Sequence, residues 1–421
     1  MQSRMPATRK NVINPLVASC HPFALSGPVS SRVLARIFPG INAFVIVLIV
    51  SLLSATASAT SESVLHNFTG GADGGYVLRS LVFDQSGNLY GTAYFGGTYG
   101  AGTVFELSPA QGSWSLTVLY NFTGGADGAN PASPLIFDAA GNLYGTTDSG
   151  GANSKGTVFE LSASQGGGWT ENVLYSFCQQ PGCADGSYPA SGVVMDNSGN
   201  LYGATGNGVF ELSRSGSKWT ETLLYSGQTY FGVTLDSAGN LFGAALGGYY
   251  GFVFQLSPVQ GGGWKENTIY IFKGGKDGSL PQGNVILDAS GNIYGTTGYG
   301  GTYNKGTVYK LTHRKSGWIE TRLHVFGNSK NSPATPEGDL TFDSDGNIYG
   351  ATTYGGAANA GAVFKLTPSN SSFKESVLWG FSGSNGANPA SGVTLDEAGN
   401  VYGTTCEGGL SGHGVIFEIM Q

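Results

Sequence analysis

Short apolar runs separated by glycine-rich turns follow one another along most of this chain, and the same order of runs returns seven times. In one copy the runs are 135–137, 142–147, 157–161 and 169–177, here named a, b, c and d. The runs have the length and composition of strands, and the repeats show no sustained helical periodicity. The pattern therefore predicts four strands in each repeat.

Run d is the longest of the four. Trp169, Val173, Tyr175 and Phe177 occupy alternating positions in it. Because successive side chains of a strand point to opposite faces, strict alternation predicts that these four share one face.

A five-residue signature, Gly-Asn-Leu-Tyr-Gly at 87–91, marks strand b. It begins again, with Leu or Tyr sometimes replaced, at steps of 54, 58, 40, 52, 55 and 53 residues: at Gly141, Gly199, Gly239, Gly291, Gly346 and Gly399. An Asp three residues earlier starts an Asp-x-x-Gly-Asn turn in every copy, where it can accept backbone N–H groups. The copy at Asp343 resembles the start of a calcium loop, but the downstream Glu is missing. We therefore predict a plain turn in all seven copies.

Seven units of four strands predict an all-β fold, a seven-bladed β-propeller whose four-stranded blades surround a channel. The ends of the chain are offset, since residues 64–68 form a d strand before the first a strand and residues 415–419 form the last c strand. The N-terminal strand is therefore predicted to complete the last blade and close the ring. The d–a connection is usually the longest, so we expect each blade to end after strand d.

Residues 1–59 lie outside the repeats. Five Lys and Arg precede the apolar run 41–53, and Ala57-Ser58-Ala59 follows as a site of small residues. This order predicts an export signal peptide with a long basic region, cleaved after Ala59, and a propeller domain over 60–421. An uncleaved anchor is the alternative, although the apolar run is shorter than the ~20 residues of a membrane span. No transmembrane segment is predicted in the mature chain.

The charge balance excludes one class of partner. The chain has 20 Lys and Arg and 27 Asp and Glu, and because the leader holds five of the basic residues and no acidic ones, the remainder carries −12. Nucleic-acid binding depends on Lys and Arg that neutralise phosphates, so no nucleic-acid partner is predicted. We expect an exported monomer, in the periplasm, at the cell surface or outside the cell.

Two cysteines, Cys178 and Cys183, flank Gln-Gln-Pro-Gly in one d–a loop. In an oxidising compartment they are predicted to form a disulfide, which would stabilise the fold by about 2 kcal/mol. A zinc site is the alternative, but the spacing matches no common ligand pattern. The sequence assigns no role to Cys406.

The combined motif resembles the GloVer tandem repeat of exported bacterial proteins called choice-of-anchor. The resemblance rests on Asp-x-x-Gly-Asn-Leu-Tyr-Gly-Thr-Thr with Gly-Gly, Gly-Thr-Val-Phe-Glu-Leu and Val-Leu-Tyr-x-Phe, and it covers about residues 62–421. It implies export and a repetitive β architecture, and it implies no activity.

Most carboxylates recur in the repeat and are explained by the fold. Those of the Asp-Gly loops (Asp73, Asp127, Asp185 and Asp277) are predicted to cap turns, with a cation-binding ring around the channel as the alternative. Six are singular: Asp148, Glu337, Asp339, Asp345, Glu397 and Glu407. These six are scattered over blades 2, 6 and 7, and nothing in the sequence pairs two of them as a glycosidase requires.

One local group has metal-ligand chemistry, namely Cys406, Glu407 and His413, for which a surface loop is the preferred interpretation. The zincin, serine-hydrolase and phosphate-loop motifs are missing. We therefore predict no catalytic residue, no metal and no cofactor.

Departures from the repeat mark one place on the ring. In an up-and-down blade the b–c and d–a loops emerge on the same face. The third b–c loop is cut to 205–208 and the following d–a loop to 226–231, beside the loop that the two cysteines enlarge. Aromatic residues cluster there: Tyr188, Tyr230, Phe231, Tyr249 and Tyr250. Such an aromatic notch suits sugar rings or apolar ligands, and a trimmed loop without a ligand is the alternative.

These patterns favour an exported propeller that acts as a binding or cell-surface interaction module, with carbohydrate as the candidate ligand. One alternative is a polysaccharide hydrolase or lyase, which would need convergent singular ionisable residues. The other is a purely structural protein of the cell envelope.

Overall fold

The structure, a computed structural model, describes residues 60–164, 166–229, 231–370 and 372–421. The predicted leader and Tyr230 therefore lie outside the described residues. In the part that is described, no helix is long and apolar enough to cross a membrane.

The described chain folds into seven antiparallel sheets, which are the blades of a seven-bladed β-propeller. The strands, numbered β1–β29 along the chain, are as follows. Blade 1 has Val82–Phe83, Leu89–Ala93, Thr103–Ala110 and Ser113–Asn121 (β2–β5). Blade 2 has Ala129–Pro131, Ile136–Phe137, Leu143–Ser149, Thr157–Ala163 and Trp169–Ser176 (β6–β10). Blade 3 has Val193–Met195, Leu201–Thr205, Gly208–Ser215 and Lys218–Ser226 (β11–β14). Blade 4 has Val233–Leu235, Leu241–Ala245, Phe252–Pro258 and Trp264–Ile271 (β15–β18). Blade 5 has Ser279–Leu287, Ile293–Tyr299, Thr307–Arg314 and Gly317–Val325 (β19–β22). Blade 6 has Thr341–Phe342, Ile348–Thr352, Ala362–Ser369 and Ser372–Gly380 (β23–β26). Blade 7 has Thr394–Leu395, Val401–Thr404, Val415–Met420 (β27–β29) and, from the N-terminus, Ser61–Asn67 (β1). Two short 3-10 helices, Pro181–Cys183 and Gly275–Asp277, lie in d–a loops.

The ring closes as predicted, with the N-terminal strand as the outermost strand of blade 7. Strand β1 pairs antiparallel with β29, and Glu62 lies opposite Ile419. In blade 2 Glu171 lies opposite Leu161 in the same register. The N-terminal strand therefore takes the place that strand d takes in the other six blades.

The second glycine of the signature lets neighbouring strands within a blade pack closely. A Cβ atom added to Gly145 would lie 2.6 Å from Cζ of Phe159 on strand c. The same clash with an aromatic ring of strand c recurs in every blade: at Gly91, Gly203, Gly243, Gly295, Gly350 and Gly403. Glycine at this position thus makes room for the largest fully buried side chain of strand c.

Apolar clusters between adjacent blades form the core. Between blades 2 and 3, for example, Val158 and Phe177 pack against Leu201, Phe210 and Leu212, all fully buried. Burying a side chain of this size stabilises by about 1.5–3 kcal/mol. The core is thus a set of interfaces around the ring, and each blade depends on both neighbours.

A β-bulge interrupts every c–d pair. In blade 2 Leu174 is the extra residue, between Val173 and Tyr175. A bulge shifts the alternation of side chains by one. Trp169 accordingly packs toward blade 1, Tyr175 and Phe177 pack toward blade 3, and Val173 is exposed. The prediction that Trp169, Val173, Tyr175 and Phe177 share one face is therefore wrong.

Candidate functional site

The b–c and d–a loops lie on one face of the propeller, here called the loop face. Backbone hydrogen bonds join them directly: Tyr188 N–H donates to the Lys155 carbonyl at 2.9 Å, and Leu280 N–H donates to the Tyr250 carbonyl at 2.8 Å. Each bond joins a d–a loop to the preceding b–c loop. The loops of this face are therefore held together around the ring.

The residue that makes this backbone bond has a left-handed conformation. Its φ lies between 53° and 60° at Tyr76, Asn130, Tyr188, Leu280, Thr335 and Asn388. Positive φ is unfavourable for Tyr, Leu and Thr, at a cost of about 1–3 kcal/mol, and such residues cluster at functional sites. Recurrence of this strain in six d–a loops indicates that the loop face is rigid and preorganised.

Every exposed aromatic side chain among the described residues lies on the loop face. The set comprises Phe95, Tyr99, Tyr188, Tyr249, Tyr250, Tyr299 and Tyr303. Six belong to b–c loops or the adjoining strand end, and Tyr188 belongs to a d–a loop. Among Phe, Tyr, Trp and the large aliphatic residues, the opposite face and the outer edge expose only aliphatic side chains, such as Ile319 and Val377. We call these seven residues the aromatic set.

Three residues of the predicted notch belong to the aromatic set. Tyr249 is 87% exposed and makes an edge contact with Tyr250, with ring centroids 4.9 Å apart. The Lys155 ammonium lies 4.4 Å from the ring centroid of Tyr188 and hydrogen-bonds its hydroxyl. Phe231 is 1% exposed, so its ring is part of the core and is not available to a ligand at the surface.

Sequence reasoning missed four residues of the set: Phe95, Tyr99, Tyr299 and Tyr303. Their signal is a short motif, an aromatic residue followed by Gly-Gly-Thr-Tyr, present in the b–c loops of blades 1 and 5. The motif lies within the repeat, and recurrence in a repeat by itself favours a structural role. In the folded protein these four rings are exposed, whereas the Tyr of the signature is buried.

The shortened loops are in contact with the disulfide loop. The predicted disulfide between Cys178 and Cys183 is present. Asn207, in the two-residue hairpin left by the shortened b–c loop, donates from Nδ2 to the Cys183 carbonyl at 3.2 Å and accepts from the Ser187 hydroxyl at 3.1 Å. These two hydrogen bonds hold the disulfide loop against the shortened b–c loop, next to Tyr188 in the chain.

The recurrent aspartates form turns. Asp138 Oδ1 accepts from the amides of Ala140 and Asn142, both at 2.9 Å, and Asp343 makes the equivalent bonds in its own turn. In the Asp-Gly loops, Asp127 accepts from Thr123 N–H at 2.7 Å. These contacts confirm the turn-capping interpretation for both kinds of Asp.

The group of Cys406, Glu407 and His413 does not converge. Cys406 is buried in an apolar cluster, Glu407 accepts from Asn388 Nδ2 at 2.9 Å, and the His413 ring packs edge-on against Tyr76. Within the described ranges, no group of three or more His, Cys, Asp or Glu could hold a metal ion.

The fold defines the class of this protein, a seven-bladed β-propeller built from one repeated four-stranded unit. The model of the Gloeobacter/Verrucomicrobia repeat matches residues 50–217 and 228–421. The chain therefore belongs to this repeat family, as its motifs predicted. No curated protein matches it.

Two solved structures share the fold at low identity. The extracellular domain of a protein from B. thetaiotaomicron named as a hybrid two-component system aligns with a TM-score of 0.52 and 14% identity, over 86% of this chain and 43% of that one. A protein from Bacteroides uniformis named as a 6-phosphogluconolactonase aligns with a TM-score of 0.51 and 12% identity, over 75% of this chain and 88% of that one. This chain spans less than half the length of the first. At these identities the likeness concerns the fold alone.

Proposed function

We propose that this protein is an exported binding module whose loop face recognises neutral carbohydrate. The observation that supports this most strongly is the placement of all seven exposed aromatic rings among the described residues on that face. Faces of aromatic rings stack on the apolar faces of sugar rings, and exposed apolar groups gathered on one face of a protein mark interaction sites.

The surroundings of the rings fit this ligand class. The loops that carry the rings are joined by backbone hydrogen bonds and hold strained left-handed residues, so little entropy is lost when a ligand binds. The net charge of −12 over residues 60–421 disfavours acidic ligands. A neutral polysaccharide of the cell wall or of plant material satisfies both conditions.

A glycan-array screen of residues 60–421, with metal analysis of the same sample, tests the proposal. Binding to neutral glycans supports it, and an array without any signal contradicts it. Release of shortened oligosaccharides from the bound glycan would instead favour the hydrolase or lyase alternative.

The pair Tyr249 and Tyr250 provides a direct test of the aromatic set. Replacing both by Ala should weaken glycan binding about tenfold or more, since each stacked ring contributes about 0.5–1.5 kcal/mol beyond its buried area. The melting temperature should change little, because Tyr249 is almost fully exposed. Isothermal titration calorimetry with the strongest array ligand measures the loss.

Ile319→Ala with Val377→Ala is the matched control for the tyrosine pair, since it removes exposed apolar side chains from the outer edge. The control should bind like the wild type. Equal affinity of the tyrosine double variant and the wild type would show that blade 4 does not contribute to the binding surface.

Export is the second part of the proposal. The basic, apolar and small-residue order of residues 1–59 and the disulfide both suit an oxidising compartment. Mass spectrometry of the exported fraction is expected to find Thr60 as the N-terminal residue. Ala57→Arg with Ala59→Arg should block cleavage, and an intact leader on the exported wild type would refute cleavage at this site.

A further inference from the structure

The channel of the propeller contains an arginine that no other blade has. Arg79 precedes the innermost strand of blade 1, at a position held by Ser, Phe or Gly in the other blades. Its Nε donates to the Ala132 carbonyl of blade 2 at 2.8 Å, and its Nη2 donates to the Ala190 carbonyl of blade 3. A side chain that starts in blade 1 and reaches blade 3 must cross the inside of the ring, so the guanidinium lies in the channel.

Two singular carboxylates face this guanidinium from different blades. On the side of Asp148, Thr146 two residues earlier donates to the carbonyls that flank Ala190, the acceptor of Arg79. On the side of Asp339, a Cβ atom added to Gly392 would lie 2.9 Å from Oγ of Ser80, the residue after Arg79, and 3.0 Å from Asp339 Cβ. Asp148, at the end of strand b in blade 2, and Asp339, before the innermost strand of blade 6, accordingly both act electrostatically on Arg79. Sequence analysis found no partners among the singular acids. The ring brings Asp148 and Asp339 near the same cation because the inner strands of all blades surround the axis.

Each carboxylate is held in place by a neighbour. The Tyr94 hydroxyl donates to Asp148 Oδ2 at 3.0 Å. Asn284 donates from its backbone N–H to Asp339 Oδ1 at 2.6 Å and from Nδ2 to Asp339 Oδ2 at 3.2 Å. Burial raises the pKa of both Asp148 and Asp339, while Arg79 lowers each of them.

Hydrogen-bonding capacity remains at this cluster. Among the described residues, neither Arg79 Nη1 nor Asp148 Oδ1 makes a hydrogen bond to protein, and both side chains keep part of their surface accessible. The cluster therefore presents N–H donors and a carboxylate acceptor that do not pair with each other among the described residues. Arg79 and Asp148 lie toward the loop face, because Arg79 follows a d–a loop and Asp148 precedes a b–c loop.

We propose that Arg79, Asp148 and Asp339 form a site on the propeller axis that binds the hydroxyl groups of the terminal sugar of a neutral glycan. This inference rests on the proposed function, since the other sugar rings of the chain would lie on the aromatic set. A sugar hydroxyl both donates and accepts, so it can bond to the guanidinium and to a carboxylate at the same time. Because the site has two carboxylates and only one guanidinium, its charge disfavours phosphate. The guanidinium in turn disfavours a cation.

An end-binding site makes a prediction that a flat aromatic surface does not. Asp148→Asn keeps the shape of the side chain and the contact with Tyr94 but removes the charge. With cellohexaose, xylohexaose and laminarihexaose as probes, this variant should raise the Kd of the best probe at least tenfold at an unchanged melting temperature. Two modified forms of the best probe test the end directly: one is methylated at its non-reducing end, and the other is reduced to an alditol at its reducing end. The wild type should bind one of these two forms with a similar loss of affinity.

Asp345→Asn is the matched control, since Asp345 is a singular, exposed acid in an a–b turn on the opposite face. It should bind as the wild type does. Asp339→Asn is the second variant and should weaken binding in the same direction.

The outcomes separate this inference from the proposed function. If Tyr249→Ala with Tyr250→Ala lowers affinity while Asp148→Asn and both end-blocked probes bind within twofold of wild type, the axial site is wrong and the aromatic surface stands. If the wild type binds none of the three probes and no array glycan, both proposals fall.

Discussion

Removal of residues 60–69 is expected to destabilise the propeller strongly and to cause aggregation. The deletion takes away β1, which pairs with the whole of β29 from Met420 to Val415, together with Phe68, which is fully buried between blades 7 and 1. Losing a buried Phe alone costs about 3–5 kcal/mol. The deletion would also expose the backbone of β29 as an unpaired edge. Differential scanning calorimetry and size-exclusion chromatography should show a large fall in melting temperature and aggregation.

A permuted chain offers a strict control for this deletion. In blade 1, Gln111 and Gly112 form the two-residue turn between strands c and d, with Ala110 opposite Ser113. Because Met420 lies opposite Ser61, Gln421 and one added Gly could form the same turn if residues 61–69 were moved to the C-terminus. The permuted chain should regain monomeric behaviour and most of the stability. A deletion variant that melts at the wild-type temperature as a monomer would contradict closure by β1.

Stability is expected to fall as pH rises from about 4.5 through about 7. The pKa of Glu171, Glu221 and Glu320 is raised to about 7, from an ordinary value of 4.5. Burial is the main cause, and the negative charge of a nearby Asp in an Asp-Gly loop adds to it. The neighbours are Asp127, Asp185 and Asp277, respectively, and Arg322 and Lys273 partly oppose the shift at Glu320. One carboxylate oxygen of each Glu is buried without a hydrogen-bond donor, so the ionised form is poorly solvated.

The direction of this pH dependence of stability follows from proton linkage. A folded-state pKa above the unfolded value means that the folded protein binds more protons between the two values, so the free energy of unfolding decreases as pH rises across that interval. The loss is complete above the folded pKa of about 7. Solvent screening at these partly exposed sites limits each contribution to less than about 1 kcal/mol.

Comparison of the wild type with a Glu171→Gln, Glu221→Gln, Glu320→Gln variant isolates this effect. Thermal melts from pH 5 to pH 8.5 should show a wild-type melting temperature that falls by a few degrees relative to the variant. His324, whose pKa burial lowers to about 4, acts in the opposite direction but is common to both proteins. Glu266→Gln changes the equivalent but exposed residue of blade 4 and is the matched control. Parallel curves for wild type and triple variant would refute the role of these carboxylates.

Some residues of the proposed carbohydrate site could be predicted from the sequence and others could not. Tyr188, Tyr249 and Tyr250 depart from the repeat and were predicted from that departure. Phe231 departs from it as well, yet its side chain fills the inner end of blade 4. Departure from a repeat therefore identifies a difference between blades, but it does not distinguish a ligand contact from local repacking.

Patterns along the chain were enough to predict the number of blades, the four strands of each and the closure by the N-terminal strand. These features depend on local alternation, turn chemistry and the order of the units along the chain, which are all encoded within single repeats. The Asp-x-x-Gly-Asn turns were equally predictable, because Asp138 makes its bonds within six residues of itself.

In contrast, the side chains that meet at the axis and the rings that face solvent are defined only in the closed ring. Arg79 and Asp339 lie 260 residues apart in the chain, and only closure of the ring brings them together. The bulge at Leu174 was invisible for a related reason: it is defined by pairing with another strand, so no pattern within strand d reveals it. Contacts across the ring and register between strands are properties of the closed fold, and one repeat read alone does not contain them.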